Sequence, residues 1–518
     1  MNSNHNTERM PELFSDLFSD GAFSDTVAVY DGDIPYSFGE INTCILKFAS
    51  RLMDMGVKPG DHVGLYAPNN IRWIIAFFAI VRIGGVAVLL NSRIAPEFVS
   101  GCVKDTDVGF LIYEFPPNRA WEEQFRRIFI GQFGFEGKCF DLQEADFASM
   151  TLPKECDLPA ERKNEDQTDV IFFSSGTTAR PKAVMYSQRA VISNAWYNYL
   201  SQPKIVQFSW FLALPFFHSF GMTALIIPLF AHIPLFFSST MTPESIISTI
   251  ERYKIFCLFT TSCYGFKILQ HEAFGRRASD HLRICVFGGE FADRNALLAL
   301  AEKYPKLAIC VGYGQTEVGP VVSVVSPDDD LWHRVYTVGK PLKETKIRII
   351  NDDSGEESKS AGSGEICVSN NRLMNGYYHE PEDRQPKDED GYIHTGDIGF
   401  LDNDGYLHLS GRKRDIIIVN GENISVAEIE ETLRRLPQIR DLCVFGMSKD
   451  KSKEEIICCF TLKDGRQFDE GEFRLQAQKL LPTIKIPHHF ICLKELSLAD
   501  NGAVDKAKVM EIVKNLII

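Results

Sequence analysis

The sequence predicts a layered α/β protein: a large N-terminal domain of α/β subdomains with a β-rich subdomain, closed by a small α+β C-terminal domain. Three observations carry this expectation. At 518 residues the chain exceeds what one core sustains, since single cores stop growing near about 250–300 residues. Short apolar runs alternate with longer segments of helical composition, the rhythm of buried strands under covering helices. From about Lys346 the texture changes to short alternating strands separated by turn signals.

Taken in order, the buried runs are Val63 to Tyr66, Val86 to Leu90, Val170 to Phe173, Phe211 to Leu214, Ile284 to Phe287 and Ala308 to Val311. Residues 205–243 contain no Asp, Glu, Lys or Arg, a length that raises a membrane span. Pro215, Pro228 and Pro234, with His218 and His232, break that run into buried strand and helix pieces. The β-rich stretch, about 340–411, holds Asp390-Gly391-Tyr392-Ile393-His394 and its near copy Asp404-Gly405-Tyr406-Leu407-His408, which read as hairpins. After Gly411-Arg412-Lys413-Arg414-Asp415 come a strand at Ile416 to Val419, a turn at Asn420-Gly421, and a helix from Val426 to Leu436 with Ser425 as N-cap. The expected domains are therefore 1–411, a linker at 412–414, and 415–518.

Composition narrows the functional classes. Hydrophobic residues make up 45% and charged residues 24%, an ordinary globular balance. A formal charge of -14 argues against a nucleic-acid surface, while permitting a local basic patch for an anionic cofactor. The 13 cysteines contain no Cys-x-x-Cys pair and the N-terminus shows no secretory pattern, so a reduced, cytoplasmic protein without a transmembrane segment is expected. Gly-x-Ser-x-Gly, His-Glu-x-x-His and cysteine clusters at metal spacing are absent. Asp402-Asn403-Asp404-Gly405 opens like a calcium loop but lacks the later glutamate, so a hairpin turn is expected.

The strongest chemical signal is Ser174-Ser175-Gly176-Thr177-Thr178-Ala179-Arg180-Pro181-Lys182, placed directly after a buried strand. Hydroxyls and backbone N–H groups around a glycine can wrap a polyphosphate, and Lys182 adds positive charge; a polar strand-to-helix turn is the bland alternative. The Walker spacing is not met. Further pieces follow: Tyr313-Gly314-Gln315-Thr316-Glu317, Gly364-Glu365-Ile366, Thr395-Gly396-Asp397, and Gly411-Arg412-Lys413-Arg414-Asp415 leading to Asn420-Gly421-Glu422-Asn423-Ile424.

Together these ordered motifs resemble the adenylate-forming superfamily, in its acyl-CoA synthetase and aryl-CoA ligase branch, over nearly the whole chain. The resemblance implies an acid–thiol ligase that uses ATP and Mg²⁺ to make an acyl-adenylate and then passes the acyl group to coenzyme A. In it Ser174, Ser175, Gly176, Thr177, Thr178 and Lys182 hold phosphates, and Gly289, Glu290, Tyr313 and Gly314 line the nucleotide, Tyr313 by its aromatic face. Thr316 meets the α-phosphate, Glu317 carries Mg²⁺, and Asp397 and Arg412 take the ribose. Arg414 matches the hinge of a C-terminal domain that swings between two half-reactions, and Gly421 lines the pantetheine tunnel of the second.

His218, in Pro215-Phe216-Phe217-His218-Ser219-Phe220-Gly221, matches the gate beside the substrate carboxylate; a core histidine is the bland reading. No carboxylate stands where amino-acid-activating relatives keep an aspartate, so an aryl or medium-chain acid is expected. Phe216, Phe217, Phe220 and Phe287, with Gly288, Gly289, Gly312 and Gly314, would frame an apolar pocket for it. Lys413, Arg414, Arg434 and Arg435 are candidate partners for the phosphates of coenzyme A. Loading of a carrier-protein phosphopantetheine is the second reading, and a catalytically inactive nucleotide- or acyl-binding protein a third. A monomer or homodimer is expected.

One departure stands out. Where the family's C-terminal motif has lysine after Asn-Gly, this chain reads Asn501-Gly502-Ala503-Val504-Asp505-Lys506. That lysine bridges carboxylate and α-phosphate, and losing one preorganised donor costs roughly 10²–10³ in rate. Adenylation should be impaired and thioester formation spared, whether the alanine is natural or a replacement made to trap a complex.

Overall fold

The structure is a computed structural model that describes residues 10–94, 96–115, 119–135, 138–154, 157–161, 167–174, 181–202, 208–290, 292–351, 356–358, 362–381, 386–413, 416–419, 422–450, 453–463, 468–498 and 504–517. Runs rich in Val, Ile and Leu bury both faces and assemble side by side, as parallel strands under helical crossovers must. One sheet has the spatial order Gly376–Tyr377, Ala183–Tyr186, Val170–Phe173, Val86–Leu89, His62–Tyr66, Phe110–Tyr113, Cys139–Asp141. Its five strands from Val170–Phe173 onward are parallel, while Ala183–Tyr186 turns back antiparallel and carries Gly376–Tyr377 on its outer edge.

A second, nine-stranded sheet runs Lys340–Pro341, Gly319–Val324, Ala308–Gln315, Ile284–Gly288, Cys257–Thr261, Trp210–Ala213, Leu235–Phe237, Val27–Asp31, Ile34–Ser37. Its centre is parallel and its edges are antiparallel. The uncharged stretch supplies two of these strands and the helix Ser219–Ala231, of which every residue but Phe220 is buried. Among the described residues no helix is long and apolar enough to cross a membrane. Pro228 does not break the run as expected: it sits inside that helix, which ends instead at His232, φ 48°. Near-complete burial outweighs the roughly 3 kcal/mol a mid-helix proline costs.

The chain packs as two compact units, Met1–Lys346 with Val368–Ile393, and Ile347–Cys367 with His394–Ile518. The copy at 390–394 falls at the end of the first unit's second segment, and the second unit contains the other expected hairpin: Ile393–Leu401 pairs antiparallel with Leu407–Arg412 in a four-stranded sheet. Asp402-Asn403-Asp404-Gly405 is a tight turn between them, closed by Asp402 N–H to the Tyr406 carbonyl at 3.0 Å. Further on, a short strand, Glu422–Ser425, pairs antiparallel with Ile416–Val419 before the helix Val426–Leu433; the expected turn at Asn420-Gly421 lies outside the described residues. A three-stranded sheet of Ile439–Asp450, Lys453–Leu462 and His489–Cys492 completes the unit. One sheet face packs with Ile429, Leu433 and Phe473, the other with Val509 and Val513 of the helix Lys506–Ile517.

Candidate active site

Ser174 and Lys182 close a hairpin rather than a strand-to-helix turn. Phe173 faces Ala183 in the antiparallel ladder, the Ser174 N–H donates to the Lys182 carbonyl at 3.0 Å, and the Lys182 N–H donates to Ser174 Oγ at 3.3 Å. The intervening Ser175, Gly176, Thr177 and Thr178 lie outside the described residues. Because strand side chains alternate, Lys182, Val184 and Tyr186 share one face, and Tyr377 stands across from Val184. The Lys182 ammonium lies 4.3 Å from the centre of the Tyr377 ring.

Thr316 and Glu317 occupy the tip of a second hairpin, formed by Ala308–Gln315 and Gly319–Val324. Buried Tyr186 fastens that tip: its hydroxyl donates to the Thr316 carbonyl at 2.6 Å and accepts from the Gly319 N–H at 3.2 Å. Tyr377 donates to Glu317 Oε1 at 3.0 Å. Burial and the Glu317 charge push the Tyr377 phenol well above its ordinary range, so it stays a proton donor. On the other side, Thr316 Oγ1 lies 3.2 Å from Ser219 Oγ, at the first residue of the helix that His218 precedes.

His218 is the residue before Ser219 at that helix start, packed on the Phe217 ring at 4.6 Å between centroids. Burial, with the positive charge of Arg93 adding to it, holds the imidazole down to about 4, so it is neutral at physiological pH. One chain face therefore gathers Ser174, Lys182, His218, Thr316 and Glu317. Tyr186 and Tyr377, which organise them, were not singled out from sequence; both look like ordinary strand aromatics, and only their cross-strand neighbours reveal them.

The aromatic and glycine pocket is corrected in part. The space a Cβ would take at Gly288 is filled by the Phe220 ring, with Phe220 Cε1 2.7 Å from that position. Phe287 lies against Gly265 in the same way, and Phe216 is buried between Trp73 and Phe237. Gly314 is required by its hairpin partner: a Cβ there would meet the Pro320 carbonyl oxygen at 2.4 Å. These glycines make room for protein, not ligand. Gly289, φ 84°, is exposed with open space beside it, and Gly312 is uncrowded. Tyr313 is buried in its strand. The Glu290 carboxylate accepts the Cys263 N–H at 2.6 Å at the start of helix Ser262–Gln270, which gives it a structural partner.

In the second unit, Asp397 and Arg412 face each other across the ladder, Nε to Oδ1 2.9 Å, with the Asp397 side chain buried and that of Arg412 44% exposed. Buried Glu365 collects Lys413 Nζ at 3.2 Å, His394 Nδ1 at 3.3 Å and the Gly396 N–H at 3.1 Å. Arg434 pairs with Glu430 at 3.0 Å, which is a helix contact rather than a ligand site. Arg414, Gly421 and Ala503 lie outside the described residues.

The arrangement fits a cation held with phosphate. Glu317 has no cationic partner among the described residues, and no group of three or more His, Cys, Asp or Glu gathers there. A single carboxylate suits Mg²⁺, which keeps waters and takes most of its remaining ligands from phosphates.

Comparisons with known proteins find matches along most of the chain. The family described as AMP-binding enzyme matches residues 19–378, and the AMP-binding enzyme C-terminal domain matches residues 428–503. The putative acyl-CoA synthetase YngI of Bacillus subtilis is 27% identical, with 97% of this chain and 96% of that protein aligned. The mitochondrial medium-chain acyl-CoA ligase ACSF2 of Rattus norvegicus is 24% identical over 94% of this chain and 84% of its own length. The crystal structure of ATP-bound MatB from Rhodopseudomonas palustris superposes with a TM-score of 0.87 at 23% identity, covering 98% of this chain and all (100%) of that one. That likeness establishes the mixed α/β fold with a large N-terminal and a small C-terminal domain.

Proposed function

The chain belongs to the AMP-binding enzyme family, and from that premise we propose that it is an ATP-dependent acid–thiol ligase joining a carboxylic acid to coenzyme A through an acyl-adenylate. The observation that carries the reading is the convergence on one face of the Ser174/Lys182 hairpin, the Thr316-Glu317 tip and the His218 helix start. These are a phosphate-loop closure, a hydroxyl with a carboxylate, and a neutral imidazole.

In this reading Lys182 and the 175–180 segment hold the β- and γ-phosphates, and Thr316 orients the α-phosphate for in-line attack by the acid. Glu317 would hold Mg²⁺, which would supply positive charge to the phosphate oxygens. Neutral His218 packs beside the acid without drawing its carboxylate into an ion pair that would blunt its nucleophilicity. Asp397 accepts from the ribose hydroxyls and Arg412, already paired to it, adds a donor. Residues 412–414 match the family's hinge, and the two residues of it that are described are paired, Arg412 with Asp397 and Lys413 with Glu365.

The substrate is an aryl or medium-chain acid, supported by the medium-chain acids named for the ACSF2 relatives. Ala503 removes the bridging lysine, so adenylation is the slow half. The test compares ATP–pyrophosphate exchange with thioester formation from preformed acyl-adenylate and coenzyme A. We expect transfer in the unaltered chain, and a gain of about 10²–10³-fold in exchange for Ala503→Lys. An unaltered chain that neither binds Mg·ATP nor turns over acyl-adenylate is not a ligase.

A further inference from the structure

We infer that Tyr377 is a positioning residue that keeps the metal-binding carboxylate of Glu317 and the phosphate-binding ammonium of Lys182 apart, so that neither neutralises the other before substrate arrives. The inference rests on the ligase reading of the same face and adds a role that the motifs do not assign.

Lys182 is exposed and Glu317 half-buried, and a direct ion pair between two such opposite charges would compete with both magnesium and phosphate. Among the described residues Lys182 and Glu317 form no ion pair; the Tyr377 ring stands between their roles. Its hydroxyl donates to Glu317 Oε1 at 3.0 Å, and its face receives the Lys182 ammonium 4.3 Å from the ring centre. A phenol is suited to this because its edge is a neutral donor and its face a weak acceptor of cations. The hydroxyl fixes the carboxylate's orientation without adding positive charge, leaving Oε2 for a metal. The ring holds the lysine by an interaction weaker than an ion pair, one that incoming phosphate displaces.

The backbone explains why the ring is so placed. Gly376–Tyr377 adds antiparallel to the edge of Ala183–Tyr186 with Tyr377 opposite Val184, diagonal to Lys182 on the shared face. The Met374 N–H donates to the Glu317 carbonyl at 3.2 Å, binding the same short segment to the hairpin tip. Tyr377 is 6% exposed, so its ring is held by packing as well as by these contacts.

Isothermal titration of ATP with and without Mg²⁺ tests the role. Tyr377→Phe keeps the ring face and loses the hydroxyl, so Mg·ATP binding should weaken about tenfold or more while metal-free ATP binding is unchanged. Tyr377→Leu removes both contacts and should weaken both. In the Glu317→Gln background, Tyr377→Phe should add nothing further, because the two residues act on one metal. Equal weakening of both forms of ATP by Tyr377→Phe, no weakening of either, or additive losses in the double variant would each overturn the inference. Absence of Mg·ATP binding by the unaltered chain would instead remove the ligase reading, and this role with it.

Discussion

Replacing Tyr186 by Phe removes a single oxygen and unfastens the hairpin tip that carries Thr316 and Glu317. That oxygen donates to the Thr316 carbonyl at 2.6 Å and accepts from the Gly319 N–H at 3.2 Å, and the residue is 1% exposed, so water has little access to take its place. Each backbone group left unpaired costs about 1–3 kcal/mol, and a total of about 2–6 kcal/mol follows for two. The unit concerned holds about 370 residues; at roughly 2.1 cal/mol/K per residue its melting entropy is about 0.8 kcal/mol/K, so the loss lowers Tm by about 3–8 °C. Differential scanning calorimetry measures it directly. Tyr66→Phe is the comparison: an equally buried tyrosine whose hydroxyl makes one backbone bond, to the Ile94 carbonyl at 2.7 Å, and whose loss should lower Tm by roughly half as much. If Tyr186→Phe shifts Tm by less than about 1 °C, or no more than Tyr66→Phe, the tip is not held as described.

Two further outcomes follow from the same face. Phe220→Ala empties the volume above Gly288, so the ratio of turnover with a bulky aryl acid to that with a short acid should rise at least about tenfold, read in competition assays with transfer from the two acyl-adenylates. His218 has its folded pKa depressed to about 4 from its ordinary 6.5, so the unfolded chain takes up the proton first as pH falls. Its contribution to stability is therefore present above about 6.5 and lost between there and about 4. His218→Asn should flatten that part of the urea-stability profile, and an unchanged slope would show the imidazole to be freely solvated.

Much was legible in the chain itself, and for local reasons. Phosphate binding selects hydroxyls, glycine and lysine at short spacing, so residues 174–182 point to that chemistry by composition alone, and the structure adds that Ser174 and Lys182 close a hairpin. A hairpin turn needs Asp and Gly at set positions, so the copies at 390–394 and 404–408 fell where the β-rich segment forms its turns. Strand runs of Val, Ile and Leu identified the α/β class because full burial on both faces is written in composition. Pro228 misled because a local penalty was weighed without the burial that outweighs it.

What the tertiary structure alone decided is which side chains meet. Tyr186 reaches Thr316 across 130 positions and Tyr377 reaches Glu317 across 60, contacts that no periodicity within either strand encodes. The glycine at 288 was readable as empty space, but whether a ligand or a phenylalanine fills it depends on the helix packed opposite. Alternation along a strand fixes the face on which a side chain stands; register with a distant partner fixes what it touches, and that register is settled only when whole sheets assemble and bury their apolar faces together.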